Sequence, residues 1–376
     1  MKPLFYTLIC LFSSIVFAQV EPTIIVRANN EIAKFYINGI YDNNPWKISP
    51  ELNPDIFYYG KEINKIAIKT DLDSVVFNVS KGKTIDFIVL LNQKDTARTQ
   101  LQLYIPIDYL AILKKGKKYN LKDERLFPKF TYQSKEDSNL VKLRTRYNLD
   151  SIAGKGNEIS QLLNLLHWMH NTVPHDGQNG LPDTRNAYSM LEVCKKENRG
   201  LNCRGLAIAL NECYLSMGFK SRYVTCMPKD SIFEDCHVIN MVFSKDLNKW
   251  IYLDPTHDAY VMNENGILLS IEEVRERLIN GKPMILNPTA NWNYKISTYK
   301  EEYLYNYMAK NLYRIECPIN SQYDSETFIS QNTFEMIELL PLDAYNQKNE
   351  NYFNTQMNIH FISNKTNNPS IFWAKP

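Results

Sequence analysis

The chain has seven cysteines but no Cys-x-x-Cys pair, so it lacks the close thiolate spacing of structural zinc sites, and no metal ion or other cofactor is expected. No acidic loop has the ligand spacing of a calcium site. Glycine and proline are sparse, 13 and 17 in 376 residues and scattered, which excludes collagen-like and low-complexity polymers. An excess of one charge is also missing. The 43 Lys+Arg nearly cancel the 41 Asp+Glu, leaving +2, without the basic surplus of a nucleic-acid binder or the high charge of a disordered tail. Beyond residue 17 no apolar run is long enough to cross a bilayer, and no internal repeat is visible. What is abundant is aromatic: 24 Tyr and 17 Phe suit pleated surfaces, and the length suggests two or three domains.

The opening stretch is set apart from the rest. Lys2 precedes an apolar run from Leu4 to Phe17, and Val16-Phe17-Ala18 offers tolerated side chains before a cut. The run falls short of the ~20 residues of a spanning helix and reads as a secretory signal peptide removed after Ala18. The mature chain is therefore expected to be secreted or periplasmic, with no integral membrane segment. Six cysteines remain, five of them between Cys194 and Cys236. An oxidising compartment permits disulfides, and Cys226 and Cys236 flank a polar loop and could pair.

Five segments follow from the pattern: the signal peptide 1–18, a β-domain 19–106, a connector 107–135, a helix-and-strand domain 136–316 and a strand-rich extension 317–376. In the β-domain Val75, Phe77 and Val79 alternate with polar residues. A turn at Lys81-Gly82-Lys83 follows, and then Ile85, Phe87, Val89 and Leu91 alternate again, which predicts a hairpin within a small β-sandwich. The basic run Lys114-Lys115-Gly116-Lys117-Lys118 reads as a solvated connector. Helices are predicted from Asn157 as cap through Met169, from Asn186 to about Lys196, over 203–217 ending at Gly218, from the capping box at Ser270 to Gly281, and from about Thr298 to Leu312. Leu206, Leu210, Cys213 and Met217 share one face of the third. Strands are predicted over 221–226, 236–243 and 249–254, with a late one over 357–362.

The chemistry concentrates between residues 200 and 257. LNCRGLAIAL puts Cys203 in the first turn of a helix, where free N–H groups and the positive dipole end favour a thiolate. Gly200 and Gly205 allow the backbone a close approach. Downstream, DCHVINMVF and KWIYLDPTHD form an antiparallel hairpin. A turn centred between Lys245 and Asp246 sets His237 opposite Asp254 and Ile239 opposite Tyr252, so that the carboxylate fixes one imidazole nitrogen and the other can take a thiol proton. A two-residue change of register leaves the pair on a diagonal within reach; a one-residue slip separates them. His257, His167 and His170 read as structural, Cys236 as pointing away from His237, and Arg222 as a salt-bridge or substrate-carboxylate partner.

Cys at a helix start, His on a strand and Asp at the end of the next is an order that resembles the transglutaminase-like superfamily. The match is carried by GLNCRGLAIALNECYLSMGFKSRYV, CHVINMVF and KWIYLDPTHD, with Gly218, Phe219, Ser221, Arg222, Val224, Trp250, Asp254 and Pro255 on the family pattern. His175 stands where an aromatic residue is common, and Val238 and Ile239 follow His237 where many members have an aromatic. The resemblance implies an α+β fold, with a papain-like core of helices on an antiparallel sheet behind the all-β sandwich. It implies Cys203 as nucleophile, His237 as base and then acid, and Asp254 as the orienting carboxylate, in acyl transfer from a peptide or protein amide. The Cys203 N–H is the first oxyanion donor; candidates for the second, or for binding substrate, are Asn202, Trp168 and His175, with Asn171 and Gln178. The alternative is a catalytically silent binding or surface-assembly protein that uses the sandwich and the papain-like cleft for recognition.

Overall fold

A computed structural model describes residues 23–42, 45–79, 84–123, 125–327, 333–355 and 358–376. The expected signal segment and the Lys81–Lys83 turn lie outside them. The chain divides into two compact units, Met1–Ile107 and Asp108–Pro376.

The first unit is a β-sandwich. A four-stranded sheet (Ile24–Ala28, Ile85–Leu91, Asp95–Leu103, Asp55–Tyr59) and a five-stranded one around Ile32–Ile37, Lys65–Lys69 and Ser74–Asn78 contribute one joint core, with Val26, Phe35, Ile68, Phe77, Phe87 and Leu101 buried in it. The predicted hairpin does not form. Ser74–Asn78 pairs back with Lys65–Lys69, whereas Ile85–Leu91 sits in the other sheet beside Asp95–Leu103. The tight turn lies later, in the three-residue loop 92–94, where Asn92 and Gln93 take φ of 53° and 56°. Alternation fixed which side chains are buried but not which strand is the neighbour.

In the second unit helices cover both faces of a nine-stranded sheet. Helices α1 (Glu158–Thr172), α2 (Ala187–Glu197) and α3 (Cys203–Ser216) form where their caps place them: Asn157, Asn186 and Asn202 each accept a first-turn N–H. Strands β1 (Ser221–Met227), β2 (His237–Ser244), β3 (Lys249–Asp254) and β4 (Ala259–Met262) are consecutive neighbours. Val238, Val242, Ile251 and Leu253 pack on α1 to α3, while Ile239, Met241 and Tyr252 face Ile271–Asn280 and the 301–311 helix. Beyond β1 the sheet continues through Arg314–Pro318, Thr333–Leu339, Ile359–Thr366 and Glu350–Asn354. The boundary drawn at 316/317 therefore cuts a strand. The sheet is antiparallel except where Thr333–Leu339 and Ile359–Thr366 run parallel.

Three expectations change. The connector 107–135 holds a helix, Tyr109–Lys115, whose Leu113 is buried in the core, while the lysines that follow stay largely exposed. Helix α3 is buried on every side. Its polar residues are satisfied internally: Glu212 accepts the N–H groups of Ala187 (2.7 Å) and Asp324 (2.8 Å), and Asn211 bonds Ser321 and Ser221. The helix expected from Thr298 is wound as a π-helix over Glu301–Met308, a form that recurs at functional sites. Among the described residues no helix is long and apolar enough to cross a membrane.

Candidate active site

Cys203 is the first residue of α3, and the Asn202 side chain accepts the Gly205 N–H at 3.0 Å. The residues before it lie flush against 174–176. Leu201 N–H donates to Pro174 O (3.1 Å) and Asp176 N–H to Leu201 O (2.8 Å). A side chain at Gly200 would place its Cβ 2.3 Å from Pro174 O, so the close approach needs glycine there. This bridge brings His175 to the start of α3. The Asn293 side chain then clasps the His175 backbone, accepting its N–H at 2.6 Å and donating to its carbonyl at 2.9 Å.

The β2–β3 register is two residues away from the expected one. Met241, not Ile239, faces Tyr252, and Asn240 faces Leu253. The turn is longer, Lys245 to Asn248, with Asn248 in the left-handed region at φ 49°. Because the change is even, His237 and Asp254 keep a common face and meet on the diagonal. His237 Nε2 and Asp254 Oδ2 are 2.7 Å apart, with both residues buried. Asp254 is held from all sides: Oδ1 accepts Thr256 N–H (2.8 Å), and Oδ2 also accepts the Tyr303 hydroxyl (2.6 Å), itself hydrogen-bonded to Tyr252.

The electrostatics follow from this enclosure. Burial pushes the Cys203 thiol up, but the hydrogen bonds of His175 and His237, the His237 charge and the Val238 N–H outweigh it and bring the thiol down to about 6. Burial disfavours the His237 imidazolium, yet the adjacent Asp254 charge holds it well above the ordinary histidine value. Burial likewise opposes ionisation of Asp254, and the His237 charge and hydrogen bond keep it well below the carboxylate range. The Cys203 and His237 shifts both favour a thiolate beside an imidazolium. Burial raises the other five described thiols, Cys194, Cys213, Cys226, Cys236 and Cys317. Iodoacetamide is therefore expected to label Cys203 first, at a rate that climbs through pH 6 and levels off above about pH 7. A rate still rising about tenfold per pH unit through pH 8 would mark an ordinary thiol instead.

The other predicted residues divide. Of the five second-donor candidates, only His175 lines the cavity beside His237. Trp168 packs on Tyr147 with ring centroids 5.8 Å apart, Asn202 is spent on its cap, Asn171 bonds His167, and Gln178 is exposed. Among the described residues Arg222 meets no acid, and it does not line that cavity. Its buried guanidinium donates to the Phe372 and Ala374 carbonyls and stacks on Phe130 and Trp250. All six described cysteines are free, so Cys226 and Cys236 are not paired.

His257, read as structural, stands in the 255–258 turn and borders the His237–Asp254 pair. Its ring lies 5.9 Å from that of His237, burial lowers it to about 4, and its Nδ1 bonds Thr298 (3.0 Å). His237, Asp254 and His257 each bring a ligand atom within 4.8 Å of the others, the spacing of a metal site. Of these groups, His237 Nε2 and Asp254 Oδ2 already hydrogen-bond each other, and His257 Nδ1 bonds Thr298. Tyr303 and Tyr307 are also new. They come from the π-helix, and Tyr307 stacks edge-on to His237 at 5.2 Å. Tyrosines at 299, 303 and 307 are legible as a spacing of four; nothing in the sequence ties that spacing to Asp254.

Comparison with known proteins gives a coarse assignment. Residues 146–255 match the family model described as the transglutaminase-like superfamily. No curated protein sequence matches the chain. Solved structures similar to the chain include a presumed cysteine protease from Cytophaga hutchinsonii (18% identity, TM-score 0.26, 47% of this chain and 59% of that one), LapG of Legionella pneumophila (14%, 0.26, 49% and 98%) and red sea bream transglutaminase (10%, 0.23, 62% and 49%). The chain thus spans little more than half of the Cytophaga protein and about half of the sea bream enzyme.

Proposed function

From a chain that carries a transglutaminase-like core at residues 146–255, we propose a cysteine-dependent amide hydrolase that acts through a thioester on Cys203. The observation that carries this reading is the enclosed pair: a thiol lowered to about 6 at a helix N-terminus, facing a histidine that a buried aspartate fixes. The thiolate attacks an amide carbonyl, and the Cys203 N–H supports the oxyanion. The His237 imidazolium protonates the departing amine as the C–N bond breaks. Water, deprotonated by His237, then cleaves the thioester; an amine in its place would give cross-linking. His175 takes the place of the second donor. The N-terminal segment directs the protein to the periplasm or outside the cell, where a peptide or protein amide is the substrate.

The test is a peptide digest by the purified chain beside a Cys203→Ala variant, with mass spectrometry of products and of the intact protein. Cleavage or deamidation that vanishes in the variant, with an acyl adduct on Cys203 of the parent, is expected. Equal behaviour of the two chains would sink the proposal and leave recognition without turnover.

A further inference from the structure

The cavity beside His237 is bounded by two elements the sequence did not connect to the site. One is the ribbon Asn291–Trp292/Ile296–Ser297, whose turn residues Asn293 and Tyr294 both take positive φ, 52° and 62°. An aromatic residue is uncommon in that region. Here the Tyr294 hydroxyl donates to His170 O (2.6 Å), and Asn293 clasps His175. The other element is the π-helix with the Tyr299 that precedes it. Together they enclose about 460 Å³.

The lining is apolar and aromatic: Trp292, Ile296, Tyr299, Tyr303 and Tyr307. Its polar groups are partly committed; His175 Nδ1 and Thr256 Oγ1 are buried without a hydrogen-bond partner among the described residues. The Tyr303 hydroxyl is used by Asp254, and His257 is bonded to Thr298 and held neutral by burial. The only carboxylate is Glu302, which is exposed and accepts from Asn306. A charged side chain entering here would lose water and gain no buried charge of opposite sign from the lining. A large apolar one would displace water from apolar walls.

The position of the cavity says which half of a substrate it meets. Its walls include His237, Thr256 and His257 but no residue of α3. The acyl carbon is held on the Cys203 sulfur at the start of α3. The amine that leaves, or that later attacks, must be next to the imidazole that hands over its proton. A second cavity of about 1020 Å³ reaches His175 from the α1–α2 side, where Arg146, Glu192 and Lys195 make a polar lining. The two cavities that meet at His175 thus differ in chemistry.

Resting on the proposed acyl-transfer reading, we infer that the cavity between the 291–297 ribbon and the π-helix is the leaving-group subsite, and that it selects an amine bearing a bulky apolar or aromatic side chain. By microscopic reversibility the same pocket receives an amine acceptor. The amine nitrogen attacks the thioester carbonyl, its proton passes to His237, the C–S bond breaks, and the thiolate returns.

The acceptor direction gives a test that needs no knowledge of the natural acyl group. The whole chain is acylated with 4-nitrophenyl acetate, and phenylalaninamide, leucinamide, glycinamide and lysinamide compete for the acetyl group at equal free-base concentration. N-acetyl products are counted by mass spectrometry. Phenylalaninamide and leucinamide are expected to be acetylated about 10- to 100-fold faster than glycinamide. In Tyr299→Ala, an exposed position (72%) where truncation is tolerated by the fold, that ratio should fall toward one. Acylation of Cys203 with a flat distribution, or one favouring lysinamide, would overturn the subsite assignment and leave the acyl-transfer reading standing. No Cys203-dependent nitrophenolate release would overturn both.

Discussion

His237→Ala is expected to lower turnover by about 10²- to 10⁴-fold, the usual contribution of a positioned acid–base group. The thiol should suffer as well. Without the His237 hydrogen bond and charge, the desolvation of Cys203 is opposed only by His175 and the Val238 N–H, so the alkylation midpoint should move upward from about 6. Alanine also leaves the Asp254 carboxylate buried and short of its cation, which costs about 3–5 kcal/mol when a buried pair is broken from one side. A companion His237→Gln variant separates the effects. An amide can still donate to Asp254 but cannot shuttle a proton, so stability should return in part while activity stays lost. Denaturant midpoints and alkylation rates of the two variants check this. Full activity in either would remove His237 from the chemistry.

Gly200→Ala tests the scaffold rather than the reacting groups. Its Cβ would sit 2.3 Å from Pro174 O and 2.7 Å from Asp176 Cβ. Neither neighbour is the loose end of a long side chain. The 174–176 segment must retreat, and with it go the two hydrogen bonds between Leu201 and its partners Pro174 and Asp176. Overpacking of this kind costs about 1–3 kcal/mol, and each lost hydrogen bond adds about 0.5–1.5 kcal/mol. His175 moves away from the thiol, so the alkylation midpoint should rise even though no residue of the Cys-His-Asp set has changed. The paired readout is a lower urea midpoint together with a raised Cys203 midpoint. Unchanged values for both would mean that the bridge neither supports the fold here nor positions His175. By contrast, a Cβ at Gly205 meets mainly the flexible end of Leu181, at 2.6 Å, and the same substitution there should cost less.

The legible part of this site was its local part. A helix start is written in a short stretch, so Cys203 in the first turn was legible, whereas Asn202, taken as an oxyanion or substrate-binding candidate, serves as the cap. The His237–Asp254 diagonal was recoverable because strand parity tolerates a register error of two. The turn that set the register, with Asn248 in the left-handed region, left too weak a mark to place exactly. In the N-terminal unit the same weakness mattered more: the strands at 74–78 and 85–91 were identified, and their pairing was not.

What the sequence determined by itself was therefore the order of chemical groups, the elements that carry them and the faces they occupy, because caps, alternation and helical spacing act over a few residues. The tertiary structure alone decided the rest. Tyr303 reaches Asp254 across 49 positions, Asn293 reaches His175 across 118, and His257 is carried into the site by packing from both sides. Such contacts depend on how separate elements stack, and burial supplies what no local pattern contains: the loss of water that raises a lone thiol and the enclosed charges that bring this one down to about 6.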